Sequence, residues 1–398
     1  MSSSRVRATI TGIGHYVPPH RVTNQDLEKI VDTSDDWIRT RTGIVERRVA
    51  GDSLSTADLA VKASRRALQD AGVDAADLDL VLVATASPDM VFPATGSLVQ
   101  SRIGAVRAGA CDISCGCAGF VYALAVAAQF IESAVYQRVL VVGSDTLTKL
   151  VDWTDRNTCV LFGDGAGAVV LEPAGNGSGI LAFNLKSDGS GADLLQVPAG
   201  GSRRPASLDT VSKRLHYLKM AGGEVFRFAV KAISESTLAA LEAAGFSVND
   251  VDLFIPHQAN ARIIDAAARR IGIPLEKVYL NVARYGNTSC ASIPLALSEA
   301  MDTERLRPGD LVVICGFGAG LSWGGTVLRW SHVRSRRVGD PDVRAQRARS
   351  RKTPQKASKA RLSSQMRGTA KPAQENILSC GGGSMGRIAA RAKHPLTP

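Results

Sequence analysis

The chain has 398 residues, enough for two or three domains at roughly 150 residues each. Its formal net charge of +11 is unevenly spread, because residues 331–398 carry +13 and residues 1–330 carry −2. A near-neutral body excludes a strongly basic nucleic-acid-binding domain, so we do not expect a nucleic-acid partner. The hydrophobic content of 45% allows a large buried core.

Neither a membrane span nor a metal site is predicted. The most apolar stretch, residues 117–131, is shorter than the roughly 20 residues of a span and contains Gln129. The first residues lack an apolar core of signal-peptide length. Seven cysteines, three of them crowded at Cys111, Cys115 and Cys117, show no paired spacing typical of zinc. We therefore expect a protein of the reducing cytoplasm.

Short β-rich apolar runs alternate with helical patterns through residue 330. Taken in chain order, the predicted elements are a helix over 55–71, strands over 78–86 and 110–114, a helix from 117 to about 132, a strand over 138–144, a helix over 223–244, a strand over 251–256, a helix over 293–301 and a strand over 311–315. Alternation of this kind predicts an α/β fold, with a parallel or mixed sheet covered by helices.

An internal repeat relates residues 67–80 to residues 240–253. Both segments indicate a helix, a glycine C-cap, a short loop and a buried strand. A weaker echo pairs residues 162–171 with 317–328. Chance recurrence of such units is the alternative, but the matched spacing favours duplication. We therefore predict two similar halves, 1–173 and 174–330, packed face to face.

The apolar periodicity ends after Trp330. Residues 331–398 are rich in Arg, Lys, Ser, Ala and Gln, which predicts a disordered tail. A basic tail could attract nucleic acid or an acidic partner. We favour the plainer interpretation, a solvated and nonessential extension or an out-of-register reading.

The segment Ala110–Phe120 places cysteines where a predicted strand meets a long apolar helix. The N–H groups of a helix start stabilise a thiolate, and small neighbours leave the sulfur approachable. Because this helix is apolar on nearly all sides, we expect it to be buried, with the sulfur at the bottom of a cleft. Cys117 is the best placed, since Cys111 lies in the strand and Cys115 precedes the turn. Three small buried hydrophobes are the alternative.

Further candidates follow predicted strands of the second half. His257 comes directly after the strand over 251–256, and Asn287 stands in a turn of Gly, Thr and Ser. Ligands and catalytic groups collect at strand ends of α/β folds, although a structural histidine and ordinary turn chemistry are the alternatives. Two Gly-rich segments, 162–168 and 317–325, are neither a P-loop nor a dinucleotide fingerprint. Their glycines permit the close backbone approach that suits an oxyanion-binding N–H.

Taken together and in order, these motifs resemble β-ketoacyl-acyl-carrier-protein synthase III of the thiolase superfamily over residues 5–330. The segments that carry the resemblance are SDDWIRTRTGIVERR, DISCGCAGF, FGDGAGA, FIPHQAN, YGNTS and FGAGLSWGG. The family fold is a duplicated α/β unit that gives five layers, αβαβα, with two mixed sheets. The resemblance implies a homodimer that condenses an acyl-CoA starter with malonyl-acyl carrier protein, without a cofactor, to initiate fatty-acid or polyketide synthesis.

The resemblance also assigns roles to residues. Cys117 would be the acyl nucleophile, and His257 and Asn287 its catalytic partners. The oxyanion hole would combine the N–H groups of Cys117 and Gly320. The binding residues implied are Trp37, Arg41, Arg156 and Asn260 for CoA, Arg262, Arg269 and Arg270 for docking the carrier protein, and Phe92 for closing the acyl pocket from the partner subunit. A core tryptophan and a solvated basic face are the alternatives for these binding sets.

Other interpretations of the same residues stay open. Cys315 lies near the place of the second catalytic cysteine of degradative thiolases, but it is displaced from that pattern and we interpret it as strand core. The alternative functions are an acyltransferase or condensing enzyme of secondary metabolism that does not use malonyl carrier protein, and a noncatalytic partner subunit of the same fold. A nucleic-acid-associated protein acting through its tail is the remaining alternative.

Overall fold

Two mixed sheets and their helices make up the part of the chain that this computed structural model describes, residues 6–175 and 177–332. Within it the strands are β1 (Ala8–Tyr16), β2 (Arg21–Thr23), β3 (Glu46–Arg48), β4 (Leu80–Ala84), β5 (Gly109–Ile113), β6 (Val139–Thr146), β7 (Asp164–Pro173), β8 (Gly179–Ser187), β9 (Leu195–Gln196), β10 (Lys219–Met220), β11 (Leu253–Pro256), β12 (Leu311–Gly318) and β13 (Ser322–Arg329). The α-helices of the same residues are α1 (Asn24–Leu27), α2 (Asp35–Thr42), α3 (Thr56–Ala71), α4 (Thr95–Ile103), α5 (Gly119–Glu132), α6 (Arg156–Cys159), α7 (Leu208–Ser212), α8 (Gly222–Ala244), α9 (Ala261–Ile271), α10 (Val282–Tyr285) and α11 (Ser292–Asp302).

The two main sheets share one strand plan. The first has the order β1-β7-β6-β4-β5, and the second has the order β8-β13-β12-β11. In each sheet the first three strands pair antiparallel and the fourth runs parallel to the third. This correspondence fits the predicted duplication. Pro173 is the last residue of β7, and the division into halves at that residue stays a prediction.

The two sheets alternate with three layers of helices, one between the sheets and one on each outer face. Helices α3 and α4 pack on the outer face of the first sheet, and α8 and α9 pack on the outer face of the second. Helices α5 and α11 lie between the sheets and share a core with side chains of both. Because α5 is apolar on nearly every side, this central place suits it. The five-layer αβαβα arrangement that the family resemblance implied is confirmed.

The repeated helix–glycine–strand units have the same backbone conformation in both halves. Helix α3 ends at Gly72 with φ 68°, and α8 ends at Gly245 with φ 76°. In each case the glycine N–H donates back to a carbonyl of the last helical turn. The left-handed conformation is easy only for glycine, which explains why it recurs at this point.

Strand β4 ends earlier than predicted, at Ala84 rather than residue 86. The cause is Asp145, whose Oδ1 accepts the N–H groups of Ala86 at 2.8 Å and Ser87 at 3.0 Å and turns the chain out of the ladder. The part of the predicted tail that follows His332 lies outside the described residues. No helix in the described ranges has the length and apolarity needed to cross a membrane. The same ranges bring no three His, Cys, Asp or Glu side chains together as a metal site.

Candidate active site

A pocket opens beyond the carboxyl ends of the parallel strands β11 and β12. Its polar side chains are those of Cys117, His257, Asn260 and Asn287. The rest of the wall is mainly apolar, with Leu161, Phe162, Leu195, Met220, Val225, Phe226, Phe228, Ala259, Ile263, Phe317 and Leu321. An apolar cleft with a few convergent polar groups is typical of a substrate site.

Cys117 lies two residues before α5, against the turn between β12 and β13. A Cβ on Gly318 would lie 2.3 Å from the Cys117 nitrogen, and one on Gly116 would lie 2.7 Å from the Ala319 nitrogen. These approaches therefore need glycine. Burial raises the pKa of the Cys117 thiol to about 12, although a hydrogen bond with Ser289 lowers it. Burial therefore favours the protonated thiol in the free protein.

His257 follows β11 and continues its pairing, because its N–H donates to the carbonyl of Cys315 at 2.7 Å. Its Nδ1 lies 2.6 Å from the Ser292 Oγ, and its ring meets Phe317 edge to face at a centroid distance of 5.1 Å. Burial lowers the pKa of His257 from 6.5 to about 3. The imidazole is therefore neutral at physiological pH.

Asn287 is held by its backbone and its side-chain oxygen. Its N–H donates to the Leu161 carbonyl at 2.8 Å, and its carbonyl accepts the Gly163 N–H at 3.0 Å. Its Oδ1 accepts the Ser289 N–H at 2.9 Å. An amide whose oxygen is bound in this way presents its NH₂ group on the other side. Asn287 therefore offers the pocket a hydrogen-bond donor.

Gly320, the predicted second oxyanion donor, lies in the β12–β13 turn, two residues after Gly318, but is not part of the pocket wall. A Cβ on Gly320 would lie 2.5 Å from the Ser322 Oγ, whereas Gly318 and Ala319 contact the cysteine segment. The structure thus places the turn as a whole beside Cys117. Which N–H of the turn would bind an oxyanion stays a prediction.

The predicted CoA-binding residues come together at the pocket mouth. The guanidinium carbons of Arg41 and Arg156 lie 5.9 Å and 5.1 Å from the centroid of the Trp37 ring. Asn260, in the pocket wall, donates from Nδ2 to the Arg41 carbonyl at 3.2 Å. An aromatic face flanked by two cations is suited to stacking with a nucleotide base.

The three arginines predicted to dock a carrier protein all lie exposed on α9. Arg262 lies closest to the pocket, since its guanidinium carbon is 5.8 Å from the centroid of the pocket residue Phe226. Arg269 forms an ion pair with Asp265 at 3.1 Å on the same helix. Arg270 is at the far end of α9. The three arginines of the predicted patch therefore differ in their distance from the pocket, and Arg262 lies at its mouth.

Two other predicted residues lie away from the pocket of this chain. Phe92 is 83% exposed and does not line it. Cys315 is fully buried in β12, with its Sγ 3.0 Å from the Ser236 Oγ. Cys315 is strand core, as the sequence indicated.

Sequence reasoning missed the apolar wall that α8 provides through Val225, Phe226 and Phe228. The helical pattern of α8 was visible, but its periodicity does not say which side meets the cleft. It also missed Ser289 and Ser292, which contact the predicted catalytic residues. Their only signal was their place beside Asn287 in the chain.

Family models and known proteins match this chain over the same body. The model described as 3-oxoacyl-[acyl-carrier-protein] synthase III matches residues 111–189, and its C-terminal counterpart matches residues 241–330. β-Ketoacyl-[acyl-carrier-protein] synthase III of Caldanaerobacter subterraneus subsp. tengcongensis is 53% identical over 327 residues, 82% of this chain and 99% of that protein. The crystal structure of synthase III from Thermus thermophilus is 48% identical, with a TM-score of 0.76 over 81% of this chain and 99% of that chain. That of the priming β-ketosynthase from the R1128 polyketide biosynthetic pathway is 37% identical, with a TM-score of 0.76 over 83% and 98%.

Proposed function

Because the chain belongs to the 3-oxoacyl-[acyl-carrier-protein] synthase III family, we propose that it condenses an acyl-CoA starter with malonyl-acyl carrier protein, with loss of CO₂. The observation that carries the proposal is the pocket shared by Cys117, His257 and Asn287. A thiol, a neutral imidazole and an outward-facing amide NH₂ meet there. These are the groups that an acyl-thioester intermediate and a developing enolate require.

The first half-reaction transfers the starter to Cys117. The sulfur attacks the thioester carbonyl, the bond from that carbon to the CoA sulfur breaks, and the thiol proton ends on CoA. The N–H of Cys117 and one N–H of the β12–β13 turn, predicted at Gly320, stabilise the tetrahedral oxyanion. The contact of Gly318 with Cys117 holds the turn where such a donor is needed.

The second half-reaction forms the carbon–carbon bond. The malonyl thioester loses CO₂, and the electron pair left behind makes an enolate. His257 Nε2 and Asn287 Nδ2 donate hydrogen bonds to the enolate oxygen. The carbanion attacks the acyl carbonyl, and the bond to the Cys117 sulfur breaks. The sulfur leaves as a thiolate and takes up a proton from water, which restores the thiol, and 3-oxoacyl-acyl carrier protein leaves. Because decarboxylation supplies the carbanion, the step needs neither a cofactor nor a strong base.

Residues around the pocket mouth recognise the two substrates in this proposal. Trp37 and Arg156 hold the adenine of CoA by stacking, and Arg41 and Asn260 complete that site. The carrier protein is acidic in this family, so the exposed face of α9 attracts it, with Arg262 nearest the entry. We place the reaction in the cytoplasm, because a reducing compartment preserves the thiol nucleophile.

A second copy of the chain completes the acyl pocket in this proposal. Strand β5 is an edge strand of its sheet, and Cys111 on it is exposed. Val91 and Phe92 are each 83% exposed in the loop before α4. The N–H of Thr95, the first residue of α4, donates to Asp112 of β5 at 2.8 Å. An unpaired edge beside an exposed apolar loop is a surface that association would cover. Pairing of two such edges would form a homodimer in which Phe92 reaches the partner's pocket.

Intact-protein mass spectrometry with a panel of acyl-CoAs tests the first half-reaction. We expect a mass gain of one acyl group, which also names the starter. Adding malonyl-acyl carrier protein should then release CO₂ and 3-oxoacyl-acyl carrier protein. Acyl transfer without CO₂ release would favour the secondary-metabolism alternative. No adduct from any acyl-CoA or acyl-carrier-protein donor would favour the noncatalytic partner subunit.

A further inference from the structure

His257 is held by a side chain that has no part in the reaction described above. Ser292 is the first residue of α11, is buried, and places its Oγ 2.6 Å from His257 Nδ1. The same oxygen accepts the N–H of Gln258 at 3.4 Å. A neutral imidazole carries one N–H, on either Nδ1 or Nε2, and the hydrogen bond made by one nitrogen decides the other.

We propose that Ser292 is a positioning residue: its hydroxyl donates to His257 Nδ1 and so keeps the ring proton on Nε2, facing the pocket. The inference rests on the proposed function, in which Nε2 donates to the enolate oxygen. In the opposite tautomer, the N–H groups of His257 and Gln258 would both donate to the Ser292 oxygen. Nε2 would then offer a lone pair to an oxyanion, which is repulsive.

The residues packed around His257 hold its ring in one orientation. His257 follows β11, Ser292 begins α11, and Phe317 packs edge-on against the imidazole. All three side chains lie on buried regular elements or at their ends. A hydroxyl held on a helix keeps its place better than one on a loop, so it can select one tautomer through the whole cycle.

The same helix offers a matched control. Ser298 is also buried in α11, and its Oγ lies 2.8 Å from the Nδ1 of another histidine, His15. Neither Ser298 nor His15 lines the pocket. Ser298→Ala therefore removes a serine–histidine contact of the same kind, from the same helix, without touching the proposed chemistry.

The test uses the full chain and two independent readouts. Nitrogen-15 NMR of the histidine rings, with His257→Ala to assign the signals, should show protonated Nε2 and bare Nδ1 in the wild type. In Ser292→Ala the two nitrogens should approach an exchanging mixture. Condensation should fall about 10- to 100-fold, while acylation of Cys117 stays unchanged. Ser292→Thr keeps the hydroxyl and should restore most of the rate, and Ser298→Ala should match the wild type.

Either of two results would overturn the proposal. The first is an NMR spectrum of the wild type that shows the His257 ring proton on Nδ1. This result needs no variant, so the test can be made even if Ser292→Ala folds poorly. The second is wild-type condensation in a folded Ser292→Ala protein. If instead the wild type never releases CO₂ from malonyl-acyl carrier protein, the proposed function fails, and the NMR spectrum still decides the tautomer.

Discussion

Gly318 and Cys117 touch through their backbones, so closely that a Cβ on Gly318 would lie 2.3 Å from the Cys117 nitrogen. Gly318→Ala must therefore displace either the β12–β13 turn or the cysteine. We expect a loss of about 1–3 kcal/mol in the free energy of unfolding, together with a slower acylation of Cys117. Gly165→Ala is the matched control, since its nearest neighbour would be 3.5 Å away. Equal acylation rates in the two variants would contradict the proposed contact between turn and nucleophile.

Cys117→Ser should abolish the acyl adduct seen by mass spectrometry. The variant keeps the shape of the side chain but replaces the thiol by a poorer nucleophile. Cys115→Ser changes a half-buried cysteine two residues away that does not line the pocket, so it should still be acylated. An adduct that persists in Cys117→Ser and disappears in Cys115→Ser would transfer the role to Cys115.

Asn287→Asp should separate the two half-reactions. The substitution replaces the NH₂ donor by an oxygen and adds negative charge beside the enolate. Condensation should fall by about 10²- to 10³-fold, while acylation from acyl-CoA is largely spared. Asn157→Asp is the control, because Asn157 is exposed on α6. Parallel loss of both half-reactions would show that Asn287 supports the fold rather than the enolate.

The low pKa of His257 predicts how the free energy of unfolding changes with pH. Burial holds the folded-state pKa at about 3, below the ordinary 6.5, so the unfolded chain binds this proton first as the pH falls. The contribution is fully present above pH 6.5 and is lost as the pH falls towards 3, by up to about 1.36 kcal/mol per pH unit. His257→Gln should lose less stability on acidification than the wild type, as measured by urea unfolding at several pH values. Identical acid slopes would mean that His257 is not buried as a neutral ring.

Arg262→Ala should weaken the carrier protein's interaction without changing acylation from acyl-CoA. Exposed charge pairs contribute about 0.2–1 kcal/mol, so we expect a rise of a few-fold in KM for malonyl-acyl carrier protein, shrinking at high salt. Arg269→Ala should have a smaller effect, because Asp265 already pairs with that guanidinium. A larger effect at Arg269 would move the docking surface towards the far end of α9.

Local pattern predicted much of this fold. The alternation of apolar runs predicted β4, β5, β6, β11 and β12 of the two main sheets but gave no ranges for β1, β7, β8 and β13. The glycine caps after α3 and α8 marked the repeat, because such signals depend on neighbours in the chain. The end of β4 was wrong by two residues, since the buried carboxylate of Asp145 lies far along the sequence.

The sequence by itself determined the α/β class, the family and the candidates Cys117, His257 and Asn287, because alternation and ordered motifs are properties of the chain. The αβαβα layering followed only from the family resemblance. Only the tertiary structure decided how those side chains are held. It gave Cys117 a protonated thiol and His257 a neutral ring, since burial depends on what packs around a group. It also brought Ser292 against His257 from 35 residues away. No local pattern encodes that contact, because it exists only once α11 has packed between the two sheets.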